Sequence, residues 1–224
     1  MIKIRNDLDE ITFSLLKERK DLKKQITSLE VFTGILERDQ KNAYDFLLKV
    51  EGIAPNAAII REVHRALFEN IFESAGQFRE REKAMRKTAD SAFAFTAVKN
   101  IETDLNHNSE SISGFLEHNP SRKEKLGALA RFHAGIMAIH PFEDLKDSFA
   151  LNRILALTIT EAQFRHCFRS PMRTELNAKD YCSALERCIN DADIVPLYKV
   201  MKDLMHLRLA SKDLSKTPEK DHEL

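Results

Sequence analysis

The stretch from residue 149 to residue 165 is the strongest constraint on how this 224-residue chain can fold. Leu151, Ile154, Leu155, Leu157 and Ile159 leave it apolar nearly all round when it is wound as a helix. Such a helix has no face to offer water, so it belongs at the centre with other elements packed around it. The rest of the sequence supplies those elements. Residues 57–72 place Ile59, Ile60, Val63, Leu67 and Ile71 along one side of a helix, after a turn at Ala54-Pro55-Asn56. Pro120 starts another helix, whose Leu126, Leu129, Phe132, Ile136 and Ile139 lead directly to His140. Pro141 ends it, because the residue before a proline is pushed out of helical geometry. Further helices are predicted over residues 40–53, 96–105, 178–190 and 194–209, while Asn106–Gly114 is polar and mixed. At the N-terminal end Ile4, Leu8, Ile11, Leu15, Leu22, Ile26 and Leu29 recur at helical steps and predict one long amphipathic helix over residues 4–32. The fold class is all-α: a helical bundle with a long N-terminal amphipathic helix.

Composition agrees and narrows the function classes. Only six Gly and six Pro, with no Trp, set against abundant Leu, Ala, Lys and Glu, favour helix over sheet. The 35 basic and 35 acidic residues balance, which provides no net field to gather nucleic acid or an anionic membrane. No stretch approaches the roughly 20 apolar residues of a spanning helix. The first residues lack the apolar run of a signal peptide, and Cys167, Cys182 and Cys188 form no Cys-x-x-Cys pair. The expectation is a cytoplasmic protein with reduced thiols and with neither nucleic acid nor membrane as partner.

Three ordered blocks carry a resemblance. The first is Arg61-Glu62-Val63-His64-Arg65-Ala66-Leu67-Phe68 followed by Ala75-Gly76-Gln77-Phe78-Arg79. The second is Phe132-His133-Ala134-Gly135-Ile136-Met137-Ala138-Ile139-His140-Pro141-Phe142, and the third is Tyr181-Cys182-Ser183-Ala184-Leu185 with Asp193 and Pro196-Leu197. Together they resemble the Fic (Fido) family over about residues 40–205. The resemblance divides the chain into an N-terminal helical extension (1–38), a Fic-like domain (39–210) and a polar tail (211–224) expected to be disordered. It also implies a short β-hairpin flap after Gly76, with Gly76 and Arg79 at its base as docking residues.

The family's loop reads His-Pro-Phe-x-(Asp/Glu)-Gly-Asn-Gly-(Arg/Lys)-x-x-Arg. The resemblance assigns its His as general base towards a target hydroxyl and its acid as holder of a magnesium ion on ATP. The Gly-Asn-Gly turn presents backbone N–H groups to phosphate, and the two cations neutralise the transferred AMP. Laid on this sequence without gaps, His140, Pro141, Phe142 and Asp144 match. Leu145, Lys146 and Asp147 then replace Gly-Asn-Gly, and Ser148 and Leu151 stand at the cationic positions. A branched Leu and an Asp suit close backbone approach poorly, and Asp147 adds negative charge where phosphate would sit. Losing one transition-state donor typically costs about 10²–10³ in rate. Lys146 and Arg153 are candidate replacement cations, and with Ser148 they are the candidate nucleotide-binding residues. From the residues alone, His140 reads as a base or as a buried histidine that closes its helix, and Asp147-Ser148 holds an N-cap for the apolar helix.

Thr33-x-x-x-Glu37 resembles the first part of the inhibitory motif of some Fic proteins, but Arg38 stands at its last position and Leu151 at the Arg that Glu37 would meet. A solvent-facing Glu37 is the simpler reading. The segment Asp9 to Leu22, with Arg5 and Arg19, is similar to the first helix of AroQ-type chorismate mutases, without any matching later pattern. His133 lies on the same helix face as His140, with no third ligand to make a metal site. The charged run Arg79–Lys83 reads as a solvated flap. Two function classes result: a degenerate Fic domain that binds a protein partner, with residues 4–32 as an oligomer contact, or an altered transferase using His140, with Asp144 on magnesium.

Overall fold

The computed structural model describes residues 10–50, 55–88, 91–145, 148, 150–168 and 178–203. Its helices are α1 (Glu10–Lys17), α2 (Leu29–Lys49), α3 (Ala57–Phe68), α4 (Ile101–Glu117), α5 (Arg122–Ile139), α6 (Ala150–Phe168) and α7 (Ala178–Asp191), and residues 195–203 are also helical. An antiparallel hairpin of β1 (Ala84–Thr88) and β2 (Ser91–Ala94) lies between α3 and α4, in the register Ala84↔Ala94 and Met85↔Phe93. Among the described residues, this hairpin holds the only named strands of an otherwise helical bundle.

Helix α6 is the axis. Every residue from Ala150 to Phe164 is buried, including Asn152, Thr158, Thr160 and Glu161. Helices α2, α3 and α5 pack on it. Helix α5 begins at a capping box: the Ser121 hydroxyl accepts from the Glu124 N–H at 3.3 Å, and Glu124 accepts from the Ser121 N–H at 2.8 Å. Helix α3 starts on Asn56, whose side chain accepts from the Ile59 N–H at 3.0 Å.

The N-terminal region departs from the expected single helix over residues 4–32. Helix α1 stops at Lys17, an irregular segment follows, and α2 begins after Ser28, whose hydroxyl accepts from the Val31 N–H at 3.2 Å. Tertiary pairing overrides the helical period here. The Lys23 N–H donates to Ile71 O, and the Glu73 N–H to Asp21 O, both at 2.9 Å, in an isolated antiparallel bridge of Leu22 with Phe72. The long amphipathic helix is therefore α2, whose inner face is Phe32, Leu36, Ala43, Tyr44 and Leu47. Phe13, Leu16 and Ile26 are buried within the same chain, and Leu15, Leu22 and Leu29 pack against that core. Two other expectations shift. Helix α3 ends at Phe68, with Ile71 and Phe72 buried in the turn after it. The helix expected to end at residue 105 continues as α4 through the polar, mixed residues 106–114, where polar side chains find partners. Asn106 accepts from the Ala57 N–H at 2.9 Å, and Asn108 donates to Phe132 O at 3.0 Å. The end of the 40–53 helix at Gly52 and the tail from residue 211 lie outside the described residues. No helix among the described residues is long and apolar enough to cross a membrane.

Candidate functional site

The turn that ends α5 is held from outside. The His140 N–H closes the helix on Ile136 O at 3.0 Å, and His140 then adopts φ 51°, ψ 63°. That left-handed conformation is unfavourable for a residue with a side chain and persists only where neighbours enforce it. Arg79 is the neighbour. Its backbone N–H donates to Pro141 O at 3.0 Å and its Nε to His140 O at 2.8 Å. Its Nη2 donates to Thr96 O and, at 3.4 Å, to Ile139 O, and its Nη1 to Arg81 O at 2.7 Å. The guanidinium thus meets the last carbonyls of α5, where the helix dipole is negative. Arg79 is 2% exposed, so the expectation of a solvated Arg79–Lys83 run is corrected. Glu80, Arg81 and Glu82 are exposed, but Lys83 is half-buried with its Nζ 3.9 Å from Glu143 Oε2. Burial holds the Lys83 ammonium below its ordinary pKa.

Phe142 is seated by the first sequence block. The His64 ring stacks on it at 3.8 Å and 13°, and His64 Nδ1 accepts the Gly76 N–H at 2.9 Å. Gly76 has φ 81°, and a Cβ there would sit 3.1 Å from Arg65 Nε and 3.3 Å from Arg61 O, so glycine is required for both conformation and space. Burial pushes the His64 pKa down to about 3, aided by the Arg19 charge and opposed by Asp21.

Asp144 is committed to the start of α6. Its Oδ1 accepts from the Leu145 N–H at 2.8 Å and the Leu151 N–H at 3.0 Å. Its Oδ2 accepts from the Asn152 N–H at 2.8 Å and from Asn152 Nδ2 at 3.0 Å. A carboxylate has about four acceptor sites, and all are filled. Ser148 Oγ accepts from the Ala150 N–H at 3.2 Å, so side-chain oxygens occupy the opening donors of α6 where its dipole is positive. Leu145 and Leu151 are buried in the core. Arg153 is also buried, with Nη1 3.8 Å from Cys182 Sγ on α7. Lys146 and Asp147 lie outside the described residues. A magnesium-bound nucleotide would need free carboxylate lone pairs and free N–H groups at this helix start. Contacts within the chain use both, so the residues described do not fit that group. Among the described residues no three His, Cys, Asp or Glu side chains form a metal cluster.

The His140 ring is 1% exposed. Phe95 stacks on it at 4.3 Å and 23°. Its Nε2 lies 3.4 Å from Asn152 Nδ2, and its Nδ1 has no hydrogen-bond partner among the described residues. Burial lowers its pKa to about 4; Asp144 opposes the shift, and Lys83 and Arg79 add to it. The ring is neutral at pH 7. His133 faces elsewhere: Nδ1 is 3.0 Å from Thr160 Oγ1 and Nε2 is 2.6 Å from Tyr181 OH, which ties α5 to α6 and α7. Burial lowers its pKa to about 4 as well.

A cleft of about 470 Å³ opens beside the loop, lined among others by Arg19, Asp21, Ser74, Gln77, Phe78 and Glu143. Arg19 grips Asp21 through Nε at 2.9 Å and Nη2 at 2.7 Å, while Arg5 lies outside the described residues. Thr33 and Glu37 are not drawn into the loop. The Thr33 hydroxyl donates to Glu30 O at 3.1 Å, and Glu37 is exposed, with no hydrogen bond or ion pair among the described residues. Sequence reasoning missed Asn152, which also donates to Phe142 O at 3.0 Å and accepts from the Phe142 N–H at 3.4 Å. Its signal was an Asn in the first turn of a helix that is apolar on most sides. Phe95 and Lys83 gave no signal, because the hairpin fold alone brings them to His140 and Glu143.

Comparison with known proteins agrees with this fold. Residues 55–144 match the Fic/DOC family. The fold is similar to the N-terminal Fic domain of a VirB-translocated Bep effector protein from Bartonella quintana, with a TM-score of 0.65, 17% identity and coverage of 87% of this chain and 93% of that one. It is also similar to BepC from Bartonella tribocorum, solved with bound AMPPNP (TM-score 0.64, 15% identity, 82% and 90% coverage). A Fic-domain signalling protein from Bacteroides thetaiotaomicron gives a TM-score of 0.60 at 16% identity, over 93% of this chain and 82% of that one. At these identities the likeness establishes the fold. No curated protein matches the chain.

Proposed function

We propose, on the premise that this chain carries a Fic/DOC-family domain in a Fic fold, that it acts by binding a protein partner and not by transferring AMP. The observation that carries this reading is the position of the Asp144 carboxylate. It sits at the α6 N-terminus with four N–H donors and takes the place an incoming phosphate would need. The missing glycines and cations support the same conclusion. Leu145 and Leu151, which stand where the family pattern has a glycine and a cation, are buried in the core and offer a phosphate nothing. The sealed His140 ring supports it too, since a base must come within hydrogen-bond reach of a substrate hydroxyl. Cys167, Cys182 and Cys188 form no disulfide among the described residues, which supports a reducing, cytoplasmic setting.

One observation favours the alternative, an altered group transferase: His140 keeps a buried ring nitrogen without a hydrogen-bond partner among the described residues. The two readings part on labelling. The chain and its His140→Ala variant are incubated with a cell lysate and with ATP labelled on its α-phosphate. The binding reading predicts no labelled protein above the variant's background. A band that the variant abolishes would establish transfer and overturn the binding reading.

A further inference from the structure

We propose that residues 18–23 form a latch that keeps Glu143 and Asp144 in the conformation in which Asp144 caps α6, with Arg19 as the positioning residue. The segment lies outside the family match at 55–144. It is fastened to the turn after α3 by the backbone bonds of Asp21 with Glu73 and of Lys23 with Ile71. Arg19 stands on this fixed frame. Asp21 holds its Nε and Nη2, the Ser74 hydroxyl lies 3.4 Å from Nη2, and the guanidinium covers the Phe72 ring at 4.1 Å. The Ser74 hydroxyl in turn donates to the Asp21 carboxylate. Clamped in this way, Arg19 has Nη1 free to donate to Glu143 O at 2.9 Å, 124 residues away in sequence.

That carbonyl belongs to the peptide joining Glu143 to Asp144. Fixing its oxygen fixes the plane from which the Asp144 side chain departs towards α6. The side chain of Arg19 is only 12% exposed, so its charge-assisted bond is shielded from water and strong. Lys83 reaches the same residue from the hairpin side at 3.9 Å, a weaker hold. The N-terminal segment thus bears directly on the Asp144 bonds at the start of α6, and it is the element through which a partner would release them. The proposal rests on the reading that Asp144 caps α6.

Amide hydrogen exchange of the full chain, resolved by residue, tests it in the wild type, Arg19→Gln and Arg19→Lys. Loss of the Arg19 bond is expected to speed exchange at the Leu145, Leu151 and Asn152 amides by about tenfold in Arg19→Gln, while the α5 interior amides Leu129 and Phe132 keep their rates. Arg19→Lys, which keeps the charge without the planar fork, is expected to give a smaller rise at the same amides. Unchanged exchange at those three amides overturns the latch. So does an equal rise in the α5 interior, which would make Arg19 a contributor to global stability only. If Arg19→Gln does not fold, Arg19→Lys decides by the same criterion. Failure of the capping reading would show separately, as magnesium-dependent ATP binding by the wild type whatever the exchange rates.

Discussion

Helices α5 and α6 pack against each other and begin in opposite ways. Helix α5 starts on Ser121 and Glu124, a few residues of its own sequence at the exposed surface. Helix α6 starts inside the protein, and two of its opening donors, the Leu151 and Asn152 N–H groups, are taken by Asp144, which lies beyond a loop. A local cap is a detail of one helix. A remote cap makes the helix start, the loop and everything that holds the loop into one unit. It also consumes the acidic residue that the family pattern leaves for a metal ion. On the proposed reading, the polar atoms that complete the fold are the ones a nucleotide would need.

Substitution at the two caps is the strongest way to break this comparison. Asp144→Ala strands the buried N–H groups of Leu145, Leu151 and Asn152 and is expected to cost about 4 kcal/mol in denaturant unfolding. A loss no larger than that of Ser121→Ala would mean that the two helix starts are equivalent after all. Acid acts next, on His64 and His140 beside the loop as on His133 within α5. His64 and His140 have folded pKa values of about 3 and about 4, below the unfolded value near 6.5. The unfolded chain therefore takes up protons first, and stability falls as pH drops through 6.5 towards 4. Each ring is expected to remove about 2 kcal/mol by pH 5, read from urea midpoints. His64→Gln, which keeps an acceptor for the Gly76 N–H, should flatten that slope, and an unchanged slope would locate the titration elsewhere. Ser121→Ala is expected to cost about 1 kcal/mol, the ordinary value of a lost surface cap. Glu37→Ala should stay within about 0.5 kcal/mol, because its side chain is exposed and makes no bond among the described residues.

The same division explains what could be read from the sequence. The central helix was legible because Leu151 to Ile159 allow no water-facing side, and the α5 stripe because its apolar residues recur at helical steps up to Pro141. The blocks around His64, Gly76 and His140 were legible as a family pattern, and the structure gives the physical link: His64 stacks on Phe142 while Gly76 turns the chain beneath it. The break between α1 and α2 was not legible. No Gly or Pro marks it, and the bonds that compensate for it come from Ile71 and Glu73. Nor was the burial of Arg79, which sits in a run of alternating charges yet donates to the carbonyls of Ile139, His140, Thr96 and Arg81. Asp144 could be seen as an acid at the right position. Its four donors could not, since they depend on how the loop returns to α6.

The central claim is that the chain's own carboxylate holds the phosphate position. Calorimetric titration of the full chain with ATP and magnesium tests it most directly, with Asp144→Ala beside it. The account predicts no saturable heat for the wild type at nucleotide concentrations up to about 1 mM, which corresponds to a binding free energy weaker than about 4 kcal/mol. Saturable, magnesium-dependent binding by the wild type that Asp144→Ala loses would contradict it, because Asp144 would then be holding the metal and not the helix.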